Sequence, residues 1–362
     1  MRSTRRFTAI ATIGLTAALV LAGCTKKNED TSATTAAAGG GATTAASGSA
    51  GGGGDSGKTY KVAFVPKLQG IPYFEAMNAG GKEAEAALGN VQWLYQGPTQ
   101  ADAAAQADIV RTFIQQKVDA LFIAPNDPDS MAPLIKQGID AGIKVGTSDT
   151  DAPNSERQAM VLMATAEGIG KADTDALMKA MGGKGKFAIV SCGETATNLN
   201  QWIDEIKKYS AEKYPDAEIV DTVYAGEDVA KATQMGTDLM NAHPDMTGMV
   251  GVCSTAGPGI AQAVTNANKI GKVFTVGMGT PNDMKKYLES GAASAGVLWD
   301  AKALGYLTAW AGVQMAEGKP FQATQKVADG ALENVTWDES TKTLLMGDPL
   351  TFTKETVGNY NF

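Results

Sequence analysis

From residue 58 onward, short apolar runs alternate with longer stretches in which apolar residues recur every three or four positions. The runs are KVAFVP (61–66), VQWLYQ (91–96), DALFIAP (119–125), IKVGTS (143–148) and MVLMAT (160–165). A second set follows: KFAIVS (186–191), EIVDTVY (218–224), TGMVGVC (247–253) and KVFTVGM (272–278). Near-continuous apolar runs suit strands buried on both faces of a parallel sheet. The stretches between them predict helices. Those over 71–88 and 101–117 are the clearest, with Phe113 and Ile114 on the buried side of the second.

The two sets echo each other. VDALFIAP, a helix and IKVGTSD run in order in the first; MTGMVGVC, a helix and KVFTVGMG do so in the second, at near-equal spacing. The fold class is therefore α/β, with two similar open parallel-sheet, Rossmann-like lobes joined by a multi-segment hinge. The chain is expected to cross between lobes near 163–167 and back near 297–300, and an amphipathic helix over 301–317 completes the first lobe. Lobe one is assigned 58–164 plus 299–325, and lobe two 165–298 plus 326–362, with the strand-like ALENVTW and TKTLLM in the second.

The residues before 58 read differently. Arg2, Arg5 and Arg6 precede an apolar stretch over 7–22 that is short for a membrane span and ends in LAGC. This resembles the bacterial lipobox, which makes 1–23 a signal peptide and Cys24 the lipidated first mature residue. Both the general and the twin-arginine export routes fit the Arg5–Arg6 pair. Residues 25–57 are mostly Thr, Ala, Gly and Ser, too poor in large apolar side chains to offset their chain entropy. A flexible tether of that length reaches about 30 Å. The expected location is extracytoplasmic, anchored to the cell membrane through lipid.

Composition narrows the function. Apolar residues make up 44% of 362, enough for a core, and the net charge of -8 argues against nucleic acid. Three Cys and one His leave little material for a zinc site or a catalytic triad, and His243 reads as a surface turn. No cofactor, metal or catalytic residue is expected, and the chain is expected to act as a monomer. Cys192 and Cys253 end strands that are neighbours in a 2-1-3 order, which leaves a disulfide between them open.

In open α/β sheets, ligands bind beyond the carboxyl ends of the strands. In lobe one those positions hold Lys67, then Asn126, Asp127 and Asp129, then Asp149 and Asp151. In lobe two they hold Glu194, Thr197 and Asn198, then Ser254 and Thr255, then Thr280 and Asn282. Asp127 before Pro128 also reads as a helix N-cap, and Asp129 as a first-turn acid welcomed by the helix dipole. Of Asp149 and Asp151, one is expected to be structural. Tyr73 and Trp299, followed by Asp300, are placed at the cleft, and Phe74 in the core. The candidate ligand-binding set is Lys67, Tyr73, Asp127, Asp129, Asp149, Asn198, Ser254, Trp299 and Asp300.

KVAFVPKL, YQGPT, PDS after a strand, TNLNQW, EKYPDAEIV, VGMGTPN, GVLWDAKALG and FTKETVGNYNF resemble the type I periplasmic binding proteins of sugar ABC importers. The likeness runs over 61–362 and is nearest to the autoinducer-2 and rhamnose-binding branch. It implies that Lys67, Tyr73, Asp129 and Trp299 contact the ligand from one side, and Asn198, Leu199 and Ser254 from the other. It also implies an ABC permease as partner. The autoinducer-2 receptors carry an acid and an amide where Asn198–Leu199 stand, and Pro and Ala where Val252 and Ser254 stand. That difference points to a small neutral sugar or sugar alcohol, a polyhydroxylated ligand. Two rival readings are a signal receptor for autoinducer-2 or a sugar, and a glycoside-processing enzyme. Nothing in the sequence marks one acid as a proton donor for the latter.

Overall fold

A computed structural model describes residues 57–362. The expected signal peptide, Cys24 and the linker through residue 56 lie outside the described residues. The first half runs β1 (Tyr60–Val65), α1 (Pro72–Leu88), β2 (Val91–Tyr95), α2 (Ala103–Gln115), β3 (Ala120–Ile123), α3 (Pro128–Asp140), β4 (Lys144–Ser148) and β5 (Met160–Leu162). It continues with α4 (Ala166–Met181), β6 (Gly185–Ser191), α5 (Thr197–Lys213), β7 (Ala217–Tyr224), α6 (Val229–Ala242) and β8 (Met246–Gly251). Then come α7 (Ala256–Asn266), β9 (Phe274–Gly277), α8 (Pro281–Ser290), β10 (Ala295–Leu298) and α9 (Ala301–Glu317). Four short strands end the chain: β11 (Thr324–Gln325), β12 (Val335–Asp338), β13 (Thr343–Leu345) and β14 (Leu350–Phe352).

These strands form two sheets, ordered β11-β12-β13-β5-β4-β3-β1-β2 in lobe one and β14-β10-β9-β8-β6-β7 in lobe two. All pairings among β1–β5 and among β6–β10 are parallel. The apolar runs explain this: β3 is buried at every residue, as a strand covered on both faces must be. One face of sheet one packs on α2 and α3 through Val110, Phe113, Ile114 and Ile135. The other face packs on α1 and α9, which approach closely enough that a Cβ on Gly80 would run into the Lys302 carbonyl and one on Gly305 into that of Met77. This close crossing matters for function because Tyr73 stands at the head of α1 and Trp299 just ahead of α9.

The tail departs from expectation. β12 and β13 join lobe one, where β13 runs parallel to β5 with Leu344 opposite Val161. Only β14 returns to lobe two, antiparallel to β10. The parallel edge of β5 offers an unpaired ladder, and the buried Leu344 and Val335 fill the core beneath it. The chain therefore crosses between lobes at 163–165, at 299–300 and at 346–349. The first and third crossings lie side by side, joined by the Met346 and Gly347 amides donating to the Leu162 and Met163 carbonyls.

Asp173 stands out within lobe two. It lies on α4, is fully buried, and neither carboxyl oxygen has a hydrogen-bond partner among the described residues. Burial alone pushes its pKa well above the usual carboxylate range.

Candidate functional site

The loops beyond the strand ends of lobe one are set by buried Gln106 of α2. Its amide donates to the carbonyls of Pro66 (2.9 Å) and Ala124 (2.7 Å) and accepts from the Asn126 amide (2.9 Å). Asn126 in turn donates its side-chain N–H to the Lys67 carbonyl at 2.8 Å. Asn126 thus braces the strand-end loop that carries Lys67.

Lys67 itself is buried and reaches across to lobe two. Its Nζ donates to Asn198 Oδ1 at 3.3 Å and lies 3.9 Å from Asp149 Oδ2. Asp149 Oδ1 accepts the Tyr73 hydroxyl at 2.7 Å, and Tyr73 accepts the Trp299 indole N–H at 3.0 Å. Thr150 Oγ1 donates to Asp149 Oδ2 at 2.8 Å. Burial, and then the Asp149 charge, push the Tyr73 phenol well up, so it remains a proton-bearing donor. The network holds Asp149 at φ 70°, a left-handed conformation uncommon outside glycine and best tolerated by Asp and Asn. Strained backbone of this kind is concentrated at functional sites.

The lobes meet directly. Asn198 Nδ2 donates to the Asp149 carbonyl at 3.4 Å, Thr197 to the Asp151 carbonyl at 3.2 Å, and Thr195 to the Asn126 carbonyl at 2.9 Å. Between them lies a small cavity. Its polar wall is Lys67, Tyr73, Asp149, Asn198, Glu227 and Ser254. Its apolar wall is Phe74, Leu199, Trp202, Met278, Leu298 and Trp299. The Trp202 and Trp299 rings stand 5.7 Å apart, and Tyr73 meets Trp299 edge-on at 5.8 Å. A chamber with hydroxyl-binding groups on one side and flat rings on the other matches a molecule with polar edges and C–H faces.

Of the residues singled out from sequence, Lys67, Tyr73, Asp149, Asn198, Ser254 and Trp299 converge on this cavity. Three do not. Asp129 is exposed on the first turn of α3, outside the cavity and the grooves beside it; the dipole of α3 accounts for an acid there. Asp300 caps α9 by accepting the Ala303 amide at 2.9 Å, and lines a groove at the hinge with Met346 and Asp348. Asp127 caps α3 through the Ser130 amide at 2.8 Å and reaches only the rim of an outer groove. Asp151 is the structural member of its pair, gripped by Arg157 at 2.6 and 2.7 Å.

Sequence reasoning missed Glu227, which lies just beyond β7 and so occupies the kind of strand-end position that marked the others. It also missed Trp202, whose helical spacing within α5 reads as core, and gave Phe74 to the core although its ring also faces the chamber. Cys192 and Cys253 form a disulfide, with Cα atoms 6.1 Å apart, that ties the ends of β6 and β8. Cys253 lines the cavity. The two sulfurs and the Glu227 carboxylate lie within 4.8 Å of one another, and the disulfide commits both sulfurs to each other rather than to a metal.

A family model described as a periplasmic binding protein domain matches residues 62–320. Among solved structures, LsrB from Clostridium saccharobutylicum in complex with AI-2 is similar with a TM-score of 0.78 and 27% identity, covering 83% of this chain and 100% of that one. An ABC transporter solute binding protein from Clostridium phytofermentas with bound L-rhamnose has a TM-score of 0.78 and 25% identity, covering 84% and 98%. The D-ribose/D-allose-binding protein of Pseudomonas aeruginosa is 26% identical over 206 residues, which is 54% of this chain. That match spans 62% of the relative's length, under two thirds. The two-lobed α/β architecture, the strand-end chamber and the family match agree: the chain belongs to the periplasmic binding protein family, in its type I fold.

Proposed function

We propose that this protein captures a small neutral sugar or sugar alcohol between its lobes and delivers it to the permease of an ABC importer. One observation carries the reading: Lys67 and Asp149 of lobe one and Asn198 of lobe two converge on a chamber faced by Trp202 and Trp299. Relatives named for D-ribose and D-allose, or solved with L-rhamnose bound, support a sugar ligand. On the lobe-two wall Asn198 and Leu199 contribute an amide and an aliphatic side chain, groups suited to an uncharged guest. Hydrogen bonds to the charged groups are worth about 1.5–3 kcal/mol each, so several together suffice for micromolar capture at about -8 kcal/mol. A guest that touches both walls favours the closed arrangement over an open one, with 163–165, 299–300 and 346–349 as the segments that flex.

A thermal-shift screen with pentoses, deoxyhexoses and tetritols to hexitols tests this. A true ligand at a hundredfold its Kd stabilises the fold by about 2.7 kcal/mol, which appears as a clear rise in Tm. A flat response across the whole panel would remove the sugar reading.

The same proposal places the mature protein outside the cytoplasm, held by lipid on Cys24. Among the described residues no helix is long and apolar enough to cross a membrane. Globomycin treatment of cells is expected to accumulate the longer precursor. A precursor that matures normally in its presence rules out the lipid anchor.

A further inference from the structure

We propose that Glu227 is the specificity-determining acid of lobe two, its carboxylate accepting a hydrogen bond from a hydroxyl of the captured ligand. This rests on the sugar-capture reading and adds to it the group that reads one hydroxyl. The other ionisable and amide groups of the chamber already have protein partners, with capacity left for a ligand. Lys67 is shared by Asn198 and Asp149, Asp149 also holds Tyr73 and Thr150, and Asn198 closes on the Asp149 carbonyl. Glu227 differs: no hydrogen-bond donor among the described residues reaches its carboxyl.

Its surroundings keep it in that condition. The sulfurs nearest to it are locked in the Cys192–Cys253 disulfide and carry no proton to donate. The charged and titratable groups that act on it are Lys67, Asp149 and the Tyr73 phenol. Burial raises its pKa, Lys67 opposes this, and Asp149 adds to it. Glu227 also lines the outer groove shared with Lys67 and Asn126, so it stands where that groove meets the chamber. A ligand hydroxyl facing Glu227 supplies a donor to its carboxylate. A site built to bond a hydroxyl rejects the analogue that lacks it far more strongly than an apolar pocket rejects a misfit.

The test is Glu227→Gln in the full-length protein, assayed with erythritol, D-ribose, D-arabinose and L-rhamnose. For whichever probe shifts the wild type, the variant is expected to bind about tenfold more weakly or worse at pH 8. Wild-type affinity rises with pH as Glu227 ionises through its elevated pKa, and the variant loses that rise. Unchanged affinity and pH profile in the variant overturns the proposal. If the wild type shifts with none of the pentoses, deoxyhexoses and tetritols to hexitols of the thermal-shift screen, the sugar reading falls instead.

Discussion

Replacing Asp149 by Asn is expected to weaken sugar capture by about a hundredfold while leaving the fold intact. Asn tolerates the left-handed backbone at φ 70° nearly as well as Asp, so the loop keeps its shape. What is lost is the charge. Tyr73 then donates to a neutral amide oxygen, and Lys67 loses its partner at 3.9 Å in a buried setting. Loss of a charge-assisted bond to the ligand costs about 1.5–3 kcal/mol, and the weakened pairing of Lys67 adds to it. Titration calorimetry with the sugar found by thermal shift measures the effect. Asp129→Ala, on the exposed turn of α3, serves as the control and is expected to bind as the wild type does. Normal binding in the Asp149→Asn variant, or lost binding in the Asp129→Ala variant, would dismantle the site.

The second large effect concerns stability. Asp173→Asn is expected to stabilise the protein at pH 8, because a neutral amide escapes the proton-linkage cost of a buried carboxyl. The sign follows from proton linkage. The folded-state pKa of Asp173 is raised by burial, whereas the unfolded chain titrates near the ordinary value of about 3.9. Above that value the folded state holds a proton that the unfolded state releases. Its contribution to stability therefore falls as pH rises from about 4 to the elevated pKa, and is level beyond it. The Asn variant lacks this slope. Denaturant melts at pH 4.5 and pH 8 should show the variant's advantage shrinking at the lower pH. An advantage that grows on acidification would refute the assignment. Neither effect bears on the other, because Asp173 does not line the ligand chamber.

Much of the architecture was legible in the sequence because β1, β3, β4, β6, β8 and β9 are buried on both faces and so read as apolar runs. The edges were not. β11 and β14 span Thr324–Gln325 and Leu350–Phe352, too short to carry a period, and were not anticipated. The pairing of β13 with β5 is a choice between two sheets that local pattern does not encode. The site shows the same division. Strand-end position singled out Lys67, Asp149, Asn198 and Ser254, which line one chamber because topology brings the strand ends to one edge. It did not separate Asp149 from Asp129, because that difference lies in a backbone twist at one and a helix turn at the other. Asp300 is ambiguous for a related reason: an acid ahead of a helix is as useful to the helix as to a guest.

The three crossings have one more consequence. An odd number of passages leaves Tyr60 in one lobe and Val357, packed near α8, in the other. Any rotation of the halves therefore alters the distance between these two points. Fluorophores fused beyond them would turn occupancy into an optical signal without disturbing the chamber.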